Sequence, residues 1–143
     1  MVQHLYGVSK SYLSKVIRDL LEAISVVRED VSKPFESLSR AERSEIRYYM
    51  IVVAEALIAL AYHIVRRGLG MEPETPSSTF RILLEKGLMT REEFEDAVKI
   101  VRLRNLLVHR YWVVDDRLIY DNVRRDFRTL LSFVERIRRV YGV

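Results

Sequence analysis

The sequence predicts an all-α protein, an antiparallel four- to five-helix bundle in a single domain over residues 1–143. Three observations predict it. Apolar residues recur at spacings of three and four almost from end to end. No stretch sustains the apolar–polar alternation of a half-buried strand. Capping-box pairs and Gly/Pro clusters punctuate the helical runs where a bundle needs turns.

The first helix is expected from about Ser11 to Asp30, where Leu13, Val16, Ile17, Leu20, Leu21, Ile24 and Val27 form one stripe. Pro34 ends it. Ser39 and Glu42 have capping-box spacing, so a long second helix starts there and runs to about Arg67. Gly68, Gly70, Pro73 and Pro76 supply a loop, and a short helix follows from about Ser78 to Lys86. Thr90 and Glu93 open a fourth helix that extends to about His109. Asp115 or Asp116 caps a fifth, striped by Val123, Phe127, Leu130, Val134, Ile137 and Tyr141.

Composition narrows the function classes. With 143 residues, 49% hydrophobic and 31% charged, and only 5 Gly and 3 Pro, the chain suits one core rather than two and is neither low-complexity nor disordered. The absence of cysteine excludes disulfides, thiolate metal sites and a cysteine nucleophile, and is compatible with the reducing cytoplasm, the expected location. Met1 to Ser11 lacks the pattern of a signal peptide. Tyr48 to Val65 is apolar enough to weigh as a membrane span, but Glu55 near its middle would cost roughly 2.5 to 3.5 kcal/mol there. Ala54, Ala56, Ala59 and Ala61 suit close packing in a bundle instead, so no membrane partner is expected.

Charge is uneven. Val101 to Val143 holds 10 Arg against 5 acids, whereas residues 1–100 hold 14 basic and 15 acidic side chains. Of 24 cations 19 are arginine, whose planar fork matches phosphate, although a solvated basic face explains the bias equally well.

The segment from Arg102 to Trp112 places polar chemistry inside a run that periodicity assigns to the core. At about 100° per residue, Phe94, Val98, Val101, Val108 and Trp112 share one direction, and Asn105 falls among them. With Ile100, Leu103 and Leu107 the apolar arc is about 220° wide, more than one neighbouring helix covers. A homodimer around this helix would bury the remainder. Arg104 and His109 are about 140° apart on one regular helix, so a composite site between two copies suits them better than convergence within one.

Arg104, four residues, His109, one residue and Tyr111, in the context Arg-Asn-Leu-Leu-Val-His-Arg-Tyr, resembles the signature of the HEPN superfamily and of the HepT-like toxins of HEPN/MNT toxin–antitoxin systems. The long second helix with its interior Glu55, the short variable helix, and the Asp-rich turn with a closing helix extend the resemblance over most of the chain.

The resemblance implies a metal-independent ribonuclease toxin acting on RNA as a homodimer, with no cofactor and no metal. Histidine has an intrinsic pKa suited to moving protons near neutral pH, and arginine a fork suited to phosphate. His109 is then the general acid/base and Arg104 the phosphate ligand. Asn105 can orient either, Glu55 can hold Arg104 or set the state of His109, and Arg102 and Arg110 are candidate RNA contacts. The resemblance also implies an MNT-type nucleotidyltransferase antitoxin that attaches AMP to Tyr111, adding charge and bulk where substrate phosphate binds. Tyr111, with Arg110 and Trp112, can alternatively stack on bases or anchor the helix end. A non-catalytic HEPN module binding RNA or a nucleotide, and a helical dimeric interaction protein, are the competing readings.

Other candidates carry bland expectations. Glu55 and His63, eight residues apart, lie more than about 10 Å apart along a helix and do not suggest a metal pair. His4 is expected to be disordered or at the surface, and Tyr48, Tyr49 and Tyr62 at amphipathic core edges rather than in a stacking platform. Gly68-Leu-Gly70 lacks the rest of a dinucleotide fingerprint.

Overall fold

A computed structural model describes residues 7–123 and 127–143; His4 lies outside the described residues. Six α-helices are described: α1 Lys10–Val31, α2 Arg40–His63, α3 Pro76–Glu85, α4 Arg91–His109, α5 Asp116–Val123 and α6 Arg128–Tyr141. Short 3₁₀ turns occupy Phe35–Ser37 and Tyr111–Val113, and a π-helical turn, Ile64–Gly68, continues α2. There is no strand among the described residues. The protein is the all-α bundle that its periodicity predicts.

The caps explain where helices begin. Ser39 and Glu42 form a reciprocal capping box at α2, and Thr90 and Glu93 form another at α4. A third, Thr75 with Ser78, starts α3 two residues before the expected boundary and places Pro76 in the first turn, where its missing N–H costs nothing. Asp115 starts α5: its carbonyl accepts from Ile119 N–H and its carboxylate from Arg117 N–H at 2.8 Å.

Antiparallel packing follows from the short connections. The start of α1 meets the end of α2, where Ser9 N–H donates to His63 Nε2 at 3.0 Å. Leu13, Ile17, Leu20 and Ile24 of α1 face Val53, Leu57 and Leu60 of α2 in one contiguous core, completed by Phe80 and Leu83 of α3 and Phe133 and Ile137 of α6. Burial of each such side chain contributes about 1.5 to 3 kcal/mol. The stretch Arg40–Gly68 is long and apolar enough to cross a membrane, and half of its apolar window is buried inside the bundle, against these helices.

Two departures from expectation matter. The single closing helix expected after Asp115 is two helices, α5 and α6, with Phe127 between them at non-helical φ −111° and ψ 28°. The apolar stripe remains continuous because Val123, Phe127 and Leu130 are buried together. Second, Val108, Trp112 and Asn105, expected on the packing face of α4, are exposed, whereas Phe94, Ala97, Val101 and Leu107 are buried. The bundle takes a face of α4 rotated from the expected one, because α4 must meet α2 on one flank and α3 and α6 on others.

α6 is tied to the start of α4 by a buried ion pair. Arg136 donates to both oxygens of Glu93, at 2.5 and 3.0 Å, and to Leu88 C=O at 3.3 Å. Burial alone would raise the Glu93 pKa, but the Arg136 guanidinium and the Thr90 N–H hold it below the ordinary carboxylate value.

Candidate active site

α4 carries the motif to its last turn. It stays regular through His109 and ends there, since Arg110 adopts φ −143° and ψ 45°. Five residues of regular helix separate Arg104 from His109, about 7.5 Å of rise and 140° of rotation. The structure therefore sends them in different directions. Arg104 turns toward α2, where its Nε lies 3.1 Å from Glu55 Oε1, and its side chain keeps only 19% of its exposure. The pair is electrostatic rather than a formed hydrogen bond: the buried Nε–H has no aligned acceptor among the described residues. Glu55 itself is 56% exposed and opens onto solvent.

His109 is exposed and, among the described residues, makes no hydrogen bond or ion pair. Asn105 is also exposed, beside Arg104 on the outer surface rather than inside the bundle. Arg110 is exposed at the helix end. Arg102 is separated from Arg104: it lines a different groove, of about 450 Å³, between α4 and the helices α5 and α6. The structure thus brings Arg104 and Glu55 together and leaves His109, Asn105 and Arg110 on an open surface.

That surface is apolar to an unusual degree. Of eleven exposed large hydrophobic residues described, six, Leu106, Val108, Tyr111, Trp112, Val113 and Leu118, fall between the end of α4 and the start of α5. Tyr111 and Trp112 are 63% and 67% exposed, with rings edge to face at 5.4 Å. The outer part of the wide apolar arc read from the sequence stands here without a covering neighbour among the described residues.

Sequence reasoning missed the residue that shapes this surface. Arg47, on α2, donates from Nε to Asp116 Oδ1 at 2.5 Å, from one terminal nitrogen to Tyr111 C=O at 3.0 Å, and from the other to Val114 C=O at 2.5 Å. One guanidinium thereby satisfies two loop carbonyls and fixes the turn that follows His109. Its partners lie 64 to 69 positions away, so no local pattern announces it.

Beyond Glu55, the end of α2 and the start of α1 enclose a cleft of about 510 Å³. Tyr12, Tyr62, His63, Arg66 and Arg67 line it with Glu55. His63 is engaged there through Nε2 by the Ser9 amide, and stacks on Tyr12 at 4.6 Å between centroids. Burial, reinforced by Arg67, lowers its pKa and favours the neutral ring that this acceptor role requires. This commitment leaves His63 unsuited to a general-base role. A signal for the cleft did exist: Glu55, Ala59, Tyr62 and Arg66 follow one another at helical spacings of four, three and four.

The family model for HepT-like ribonucleases matches residues 15–137, and the chain belongs to that family. A proposed RNase of Archaeoglobus fulgidus is 33% identical over 129 residues, which cover 90% of this chain and 92% of that protein. Among solved structures, the tri-AMPylated Shewanella oneidensis HEPN toxin in complex with MNT antitoxin superposes with a TM-score of 0.81 at 19% identity, over 91% of this chain and 98% of that one. The cytosolic protein YutE of Bacillus subtilis, of unknown function, also superposes with a TM-score of 0.81, at 17% identity and covering 94% of this chain and 91% of that one. At these identities the superpositions establish the HEPN fold, while the family match establishes the ribonuclease class.

Proposed function

We propose that the protein is a metal-independent ribonuclease toxin that cuts RNA in a cleft between two copies of itself, restrained by an MNT-type nucleotidyltransferase. The observation that carries the reading is the pairing of exposed motif residues with exposed apolar side chains: His109 and Asn105 stand beside Leu106, Val108, Tyr111 and Trp112. A second copy docking isologously there removes Leu106, Val108 and Trp112 from water, leaves the Tyr111 phenol at the open mouth of the cleft, and contributes a second Arg104 and His109 to it.

The chemistry needs only these side chains and the substrate. A neutral His109 imidazole takes the proton of a 2′-hydroxyl, whose oxygen attacks the adjacent phosphorus. The bond from phosphorus to the 5′-oxygen breaks, and the His109 of the second copy, protonated, returns a proton to that oxygen. The products are a 2′,3′-cyclic phosphate and a 5′-hydroxyl. Arg104 stabilises the extra negative charge on phosphorus, with Glu55 holding the guanidinium in place and Asn105 orienting the phosphate or the imidazole. Arg110 and Arg102 contact flanking backbone. Tyr111 is the site of restraint: its exposed phenol attacks the α-phosphorus of ATP on the partner enzyme, releasing pyrophosphate and leaving an AMP anion where substrate phosphate binds.

Purified protein incubated with cellular RNA in a chelator tests the reading. Cleavage by the wild type, lost in both Arg104→Ala and His109→Ala and on RNA with a 2′-deoxy scissile nucleotide, is expected. Cleavage that persists on the deoxy substrate contradicts the internal nucleophile, and RNA binding without cleavage replaces the nuclease with a binding module. After coexpression with the nucleotidyltransferase, inactive protein with unmodified Tyr111 by mass spectrometry overturns the switch.

A further inference from the structure

The cleft between the start of α1 and the end of α2 is not used by the chemistry above, yet it opens directly from it. Glu55 is shared: its carboxylate faces Arg104 on one side and lines the cleft on the other. From Glu55 to Arg66 is eleven residues, roughly 16 Å of helix, comparable to about five nucleotides at a rise of ~3.4 Å.

The lining has two kinds of group. Arg66 and Arg67 supply positive charge at the far end. Arg67 makes no ion pair among the described residues, and Arg66 pairs only through Nε with the exposed Glu72, at 3.1 Å, leaving its terminal nitrogens uncommitted. Consecutive residues on a regular α-helix diverge by about 100°. Here they lie within the π-helical turn Ile64–Gly68, and both line the same cleft. Such single π turns recur at functional sites. The walls are aromatic: Tyr62 lies under the Arg66 guanidinium at 5.9 Å, and Tyr12 is held against His63. Ala59, with its small side chain, also borders the cavity, which leaves these rings accessible.

We propose that this cleft is a binding site for single-stranded RNA beside the cleavage site, in which Arg66 and Arg67 hold backbone phosphates and the Tyr62 and Tyr12 rings receive a base. Guanidinium groups and aromatic faces are the pair of chemistries that bind single strands without reading sequence. An acidic peptide would use the arginines but leave the rings idle. The inference rests on the nuclease reading for what the strand is, and adds where it runs: along α2, from the Arg104–Glu55 pair toward the π turn. Tyr62, expected at a core edge, becomes a stacking residue.

The test is fluorescence anisotropy with a labelled single-stranded RNA of about twelve nucleotides, titrated with His109→Ala protein so that the probe stays intact. Added to that background, Arg66→Gln/Arg67→Gln should weaken binding at least about tenfold at low salt and flatten the dependence of log affinity on log salt by about 1.4, the loss of two phosphate contacts. Tyr62→Ala should weaken it roughly five- to hundredfold, and Tyr62→Phe, which keeps the ring, should restore it. Arg28→Gln/Arg40→Gln, which removes the same charge at the opposite end of α1 and α2, should change affinity far less.

Unchanged affinity and salt slope in the cleft variants overturn the proposal, as does an equal loss in the Arg28/Arg40 control, which would mean a diffuse field rather than a site. Cleavage assays with His109 restored separate the two readings. Cleavage by the wild type with no cleft dependence of binding removes the cleft and leaves the nuclease; cleft-dependent binding without cleavage removes the nuclease and leaves the cleft. Absence of both binding and cleavage removes both.

Discussion

Asp30 lies buried at the end of α1, its carboxyl against that of Glu45 on α2. Burial, followed by the hydrogen bond and the charge of Glu45, raises its pKa from 3.8 to about 7, with Lys33 opposing. A raised carboxyl pKa works against the folded state as pH rises. Below the ordinary value both states are protonated; between there and about 7 only the folded state keeps the proton, so stability falls with each unit; above 7 the full penalty is present. Asp30→Asn, which keeps a donor for Glu45, should therefore raise the melting temperature above pH 7, by an amount that shrinks to nothing near pH 4 in scanning calorimetry. Glu93 has the opposite sign. Held below its ordinary pKa by Arg136, it stabilises the fold above the unfolded carboxylate value and loses that contribution as pH falls through its folded value. Arg136→Met leaves that carboxylate buried without its partner and should cost about 3 to 5 kcal/mol in urea denaturation at neutral pH. At the same scale, Arg47 holds the turn after His109 through two carbonyls and Asp116. Arg47→Met should speed amide exchange of residues 111–116 by tenfold or more while leaving α1 and α2 protected; unchanged exchange would mean that the turn is held otherwise.

Helix starts were legible because caps are local. Ser39 with Glu42 and Thr90 with Glu93 are each closed within four residues, and both boundaries fall where these residues place them. Thr90→Ala should cost about 1 kcal/mol, and because Glu93 belongs to both the cap and the ion pair, the loss should be smaller in an Arg136→Met background than in the wild type. The end of α2 was not legible in the same way. Gly68 reads as a stop signal, but it closes a π turn and packs so tightly that a Cβ there would meet the Tyr141 hydroxyl at 2.9 Å and Val8 at 3.2 Å. Gly68 is the point where the start of the described chain, the end of α2 and the end of α6 converge. The split between α5 and α6 was missed because one apolar stripe, Val123 to Tyr141, serves two helices as well as one.

At the scale of the whole molecule, the apolar residues around the motif set the expected assembly. Trp112→Glu/Leu118→Glu, at two side chains that are more than half exposed, should leave the helical content and melting of the protomer nearly unchanged and convert a dimer to a monomer in analytical ultracentrifugation. Ribonuclease activity should fall with the dimer. A composite cleft makes a sharper demand: because cleavage uses the imidazoles of both copies, a hybrid of one wild-type and one His109→Ala subunit should be inactive, so excess His109→Ala protein allowed to exchange subunits should suppress wild-type cleavage. Undiminished cleavage, with exchange verified by mass, places each active site within one chain.

Helical class, caps and the arginine–histidine motif with its tyrosine are written in residues within four to seven positions of one another, and local spacing alone determined them. The direction in which Arg104 points, the Arg47 clamp on the turn, the face of α4 left uncovered and the juxtaposition of Tyr12 with His63 were decided only by tertiary structure. Each depends on contacts between segments some fifty or more positions apart, or on which of several apolar flanks finds a neighbour first. Packing chooses among faces that the helical period leaves equivalent.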